Sequence, residues 1–68
     1  MKLWEYNTAT LLPPFHVGYW EEDQFRGKHI FQALDMMGAE GWELISTVPV
    51  VEAGHTTRIQ YLFKRPLN

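Results

Sequence analysis

The sequence predicts an α+β domain with the order β-α-β-β: a three-stranded antiparallel sheet with one helix packed on one face. Three observations carry this. Ile59, Tyr61 and Phe63 alternate with Arg58, Gln60 and Lys64, the period of a half-buried strand. Ile30, Leu34 and Met37 recur at i, i+4 and i+7, one stripe of an amphipathic helix. Two β-rich segments flank Gly54, the pattern of a hairpin.

The first strand is expected at about residues 2–11, KLWEYNTATL, which is rich in Trp, Tyr and Thr and precedes a Pro pair. Trp4, Tyr6, Thr8 and Thr10 share one face, and Leu3, Glu5, Asn7, Ala9 and Leu11 the other. Residues 12–27 read as a loop, punctuated by Pro13, Pro14, Gly18 and Gly27. The helix is expected at about 28–37, with Gly38 as its stop. The hairpin strands are expected at about 42–50 and 57–64, with Pro49 marking an edge or a bulge. The last strand takes the centre, antiparallel to both others. Trp4/Tyr6, Trp42/Leu44/Val48 and Ile59/Tyr61/Phe63 are expected under the helix. Glu5, Glu43, Arg58 and Lys64 are expected to form cross-strand charge pairs on the opposite face.

Composition narrows the function. The chain has 68 residues, 46% of them hydrophobic and 15% aromatic, which suits a single small domain 1–68. So small a core leaves little stability to spare, so a homodimer or higher oligomer is expected. There is no cysteine, hence no disulfide and no thiolate metal site. Disulfide-free domains of this size point to the cytoplasm. Apolar runs fall short of the roughly 20 residues of a membrane span, and Glu5 interrupts any secretory-signal pattern. With a pI of about 5.8 and few cations, nucleic acid is not the expected partner.

The segment Gly38-Ala39-Glu40-Gly41-Trp42-Glu43-Leu44 is the most distinctive stretch. It reads as a structural corner: glycines reverse the chain, Ala39 is small enough to tuck under the turn, and the Trp42 ring anchors helix to strand. Glu40 caps or pairs locally. Together with the opening Leu3-Trp4-Glu5-Tyr6 and the closing Phe63-Lys64-Arg65-Pro66, this segment resembles the domain of unknown function 4177 family of small bacterial and phage proteins. The resemblance spans nearly the whole chain. It implies a β-α-β-β domain and no particular reaction. The chain departs from that pattern in the Pro- and aromatic-rich segment 12–27, and in Met37 where Leu is usual.

Catalytic chemistry finds no support. His16, His29 and His55 lack the i, i+4 spacing of a helical metal site, so no metal or cofactor is expected. Ser46 is the one serine and has no predicted histidine partner. Gly38 and Gly41 are not followed by a helix, so no phosphate loop is present. No catalytic residue is assigned.

The aromatic loop is the best functional candidate. Phe15, His16, Tyr19 and Trp20, with Arg26, mix flat apolar faces with polar tips, the make-up of recognition surfaces. The expected function is a non-enzymatic, oligomeric interaction or ligand-binding module that uses loop 12–27. The alternative is a protein that sequesters a nucleotide or small molecule, or a small enzyme, with a site shared between subunits. There Tyr19 or Trp20 would stack a base, and Arg26, Lys28 or Arg58 would meet a phosphate.

Overall fold

A computed structural model describes residues 1–67. Its elements are β1 (Trp4–Leu11), a single 3-10 turn (Asp23–Phe25), α1 (Ile30–Ala39), β2 (Glu43–Glu52) and β3 (His55–Pro66). The three strands form one antiparallel sheet in the order β1-β3-β2, so the last strand is central, as the sequence predicts. The hairpin closes through Ala53 and Gly54, at φ 50° and 79°. Two positive φ values fit the right-handed twist of a two-residue hairpin. The turn is tighter than expected, and both strands run further toward it.

Strand register decides which side chains meet the helix. Ala9 lies opposite Tyr61, and Leu11 opposite Ile59. Ala9, Leu11, Tyr61 and Phe63 join Ala33 and Met37 of α1, with Trp20 and Phe25 of the loop, in one buried cluster. This corrects the expected facing of β1. Trp4 and Tyr6 lie on the open face, and Tyr6 is 62% exposed. The helix side takes the small Ala9 instead, which lets α1 approach the sheet. Trp4 finds other company: the ammonium groups of Lys64 and Lys2 sit 4.3 and 5.0 Å from its ring centre.

β2 contains two irregularities, between Leu44 and Ser46 and between Val50 and Val51. The first reverses the alternation, since an extra residue flips all that follow. Thr47 and Pro49 therefore face the helix side, and Val48 turns to the open face. The expected open-face charge ladder is not formed. Glu5 pairs with Arg65 at 2.6 Å, and Arg58 with Glu52 at 3.5 Å.

α1 begins with a reciprocal cap. His29 Nδ1 accepts from the Phe31 amide at 3.2 Å, and Gln32 Oε1 accepts from the His29 amide at 2.7 Å. That role requires an unprotonated Nδ1. The helix passes through Gly38, which is not its stop. Gly41, at φ 87°, takes that role. The Gly41 amide donates to Gly38 O at 3.0 Å and the Trp42 amide to Met37 O at 3.1 Å. This double return is a Schellman ending, and it places Trp42 next to the core beside Met37. The Gly-Ala-Glu-Gly-Trp run is therefore a helix terminus followed by its hydrophobic lock.

Candidate functional site

Loop 12–27 is built as a closed unit. Trp20 bridges Leu11, extending β1 sideways by one rung. The Leu12 amide donates to Tyr19 O at 2.7 Å, and the Glu21 amide to Thr10 O at 3.0 Å. Glu22 Oε1 accepts from the Thr10 amide at 2.9 Å. The Gly27 amide donates to Gly18 O at 2.9 Å, which ties the end of the loop back to its middle. Gly18 sits at φ 75°, and a Cβ there would lie 2.8–2.9 Å from the backbone of Gly27 and Lys28. No other residue fits this crossing without moving the chain.

Trp20 is 2% exposed. Its Nε1 donates to Lys28 O at 3.0 Å. Its ring packs on Phe25 and Tyr61, with centroids 5.8 and 5.6 Å away. The aromatic pair Trp20 and Phe25 thus roofs the sheet beside α1. Burial also pushes the Tyr61 hydroxyl above its ordinary pKa.

Above this roof lies a cleft of about 530 Å³, lined chiefly by Leu12, Val17, Tyr19, Trp20, Glu21 and Arg26. Its walls are apolar, with an acid and a base among the lining groups. Tyr19 lines this cleft and is 56% exposed. Arg26 is held by two contacts: Nη1 to Asp23 Oδ1 at 2.8 Å, and Nε to Trp20 O at 3.3 Å.

The structure divides the five predicted binding residues. Tyr19, Trp20 and Arg26 share this cleft, with Trp20 buried against it. Phe15 and His16 do not join them. They line a smaller recess of about 110 Å³ beside Leu11, Lys28 and His29. Phe15 also packs against the core, at φ 72°. His16 Nδ1 lies 3.0 Å from Pro14 O. Sequence reasoning missed Leu12, Val17 and Glu21. The signal lay in the Trp20 rung, which carries Leu12 and Glu21 to either side of it. Among the described residues, no group of three or more His, Asp or Glu side chains is placed to hold a metal ion. Among the described residues, no helix is long and apolar enough to cross a membrane.

A second cluster lies at the far end of the sheet. Arg65 donates to Glu5 and, through Nη1, to Glu40 O at 2.6 Å. Its guanidinium lies 4.2 Å from the Trp42 ring centre. Glu5 comes from the opening segment, Glu40 and Trp42 from the helix corner, and Arg65 from the closing segment. The three stretches that carry the family resemblance meet here, in a clamp that closes the fold.

These features define a small α+β domain with one open sheet face, a clamp joining its three motif segments, and a cleft carried by one loop. The chain belongs to the Domain of unknown function (DUF4177) family, whose pattern matches residues 4–66. No curated protein and no solved structure matches it.

Proposed function

We propose that this protein is a non-enzymatic, self-associating module that holds a small ligand in the cleft of loop 12–27. The observation that supports this reading is the cleft itself. Its volume of about 530 Å³ lies within the roughly 300–1,000 Å³ of small-molecule sites. Its floor is fixed by the buried Trp20, so little ordering cost is left to binding. The Tyr19 ring suits a flat apolar or aromatic group. Glu21 and Arg26 suit polar substituents at its rim. Arg26 is already paired with Asp23, and Glu21 shares the cleft, so a polyphosphate would meet an acid on either side. A flat ligand of low charge is favoured over a nucleotide. The absence of cysteine supports a cytoplasmic setting.

The test is a thermal-shift screen that compares neutral planar aromatics with nucleotides, backed by native mass spectrometry of the purified protein. A neutral aromatic that raises Tm by several degrees, with the rise lost in Tyr19→Ala, supports the reading. A rise only with nucleotides, lost in Arg26→Ala, moves the assignment to the sequestering alternative. A flat response to every compound, with no adduct mass, removes the ligand-binding claim.

A further inference from the structure

We propose that the ligand of the loop 12–27 cleft is a small organic cation: an amine on a flat apolar body, with its ammonium between Glu21 and the Tyr19 ring. The proposal rests on the reading of this cleft as a small-molecule site and names the class of ligand it takes.

The loop carries three acids in a row, Glu21-Glu22-Asp23. Two of them are committed to the fold. Glu22 Oε1 accepts from the Thr10 amide at 2.9 Å, where the loop returns to β1. Asp23 Oδ1 holds Nη1 of Arg26 at 2.8 Å. Glu21 is the third. It lines the cleft, and among the described residues its carboxylate takes part in no ion pair.

The charges at the cleft therefore do not balance. Among the described residues, Arg26 is the one cation that lines it. Its guanidinium is cancelled by Asp23, and its Nε already donates to Trp20 O. The other bases lie elsewhere. Lys2 and Lys64 gather at Trp4, Arg58 and Arg65 pair with Glu52 and Glu5, and Lys28 lines the smaller recess beside His29. Glu21 thus leaves one uncompensated negative charge in the wall.

The local chain sets an aromatic ring near that charge. Trp20 turns inward and is 2% exposed, while its neighbours Tyr19 and Glu21 are both exposed and both line the cleft. The face of a tyrosine ring and a carboxylate each attract an ammonium, and neither attracts an anion. Leu12, Val17 and Trp20 supply apolar wall for the body of the ligand. An anionic ligand would have to draw Arg26 from Asp23 and lie against Glu21.

Isothermal calorimetry with three probes on one ring tests this: tryptamine is a cation, skatole is neutral and indole propionate is an anion. Tryptamine is expected to bind about tenfold more tightly than skatole, and indole propionate more weakly than either. The preference for tryptamine should narrow as salt is raised, a readout that needs no variant. Glu21→Gln is expected to bring tryptamine to the affinity of skatole, with the circular dichroism spectrum unchanged. Asp23→Asn, which frees Arg26, is expected to strengthen the binding of indole propionate. Equal affinity for the three probes, a preference for the anion, or a tryptamine preference that survives Glu21→Gln overturns the cation assignment and leaves the cleft standing as a binding site. No binding of any probe at millimolar concentration overturns the site as well.

Discussion

Arg65 and Glu5 face each other across β3 and β1, and Nε of the arginine lies 2.6 Å from Oε1 of the glutamate. The same guanidinium covers the Trp42 ring and reaches the last turn of α1 through Glu40 O. A cation at a helix C-terminus is favoured by the helix dipole. One side chain therefore joins the first strand, the helix end and the last strand. Arg65→Ala is expected to cost about 2 kcal/mol, because it removes two charged hydrogen bonds and one cation–π contact from a half-exposed site. Arg65→Lys should recover only part of this, since an ammonium cannot span both acceptors with a flat fork. Urea unfolding of the two variants checks the ranking.

Gly18 and Gly27 have nearly equal positive φ values, 75° and 78°, but different surroundings. Gly27→Ala meets no atom within 4 Å and should cost only the roughly 1 kcal/mol of the left-handed backbone. Gly18→Ala adds a clash with the backbone at 2.8 Å, so it should cost distinctly more and open the loop. Denaturation midpoints, together with the fluorescence of the buried Trp20, separate the two cases.

Ala53 occupies the first position of a turn that calls for positive φ, where a Cβ is strained. Ala53→Asn, giving the favoured Asn-Gly pair, is expected to stabilise the hairpin by about 0.5–1 kcal/mol. A higher Tm with unchanged spectra would bear this out.

Tyr61 gives the fold a pH limit. Its hydroxyl pKa is raised by burial above the ordinary 10.0. The folded state thus holds the proton more tightly than the unfolded state does. That stabilisation is complete below pH 10 and is lost as pH rises through the raised folded value. Stability should fall above pH 10, and Tyr61→Phe should flatten the fall. Urea midpoints measured from pH 8 to 11 provide the comparison.

The element order and central strand were legible because β3 alternates cleanly and the helix stripe is regular. The facing of β1 was not. Both of its faces carry apolar groups, and size favours Trp4 and Tyr6. The helix selects Ala9 for closeness, while two lysines cover Trp4. Val48 was misplaced because no local residue pattern announces the irregularity at Leu44–Ser46. Gly38 and Gly41 compete for one role, and only the hydrogen bonds of the helix end decide it. In the loop, Trp20 looked like a recognition residue because exposed and core aromatics have the same composition. Its burial depends on the rung it makes with Leu11.

The closure between Leu12 and Tyr19 has a consequence for how this scaffold can vary. The tip of the loop hangs from a knot of its own main-chain bonds, while the Arg65 clamp lies at the opposite end of the sheet. The exposed His16 and Val17 can therefore change in identity without disturbing the core, while Phe15 beside them stays packed against it. The domain is arranged like a tool with an interchangeable head: a handle set by three short motifs, and a tip free to diverge toward new targets.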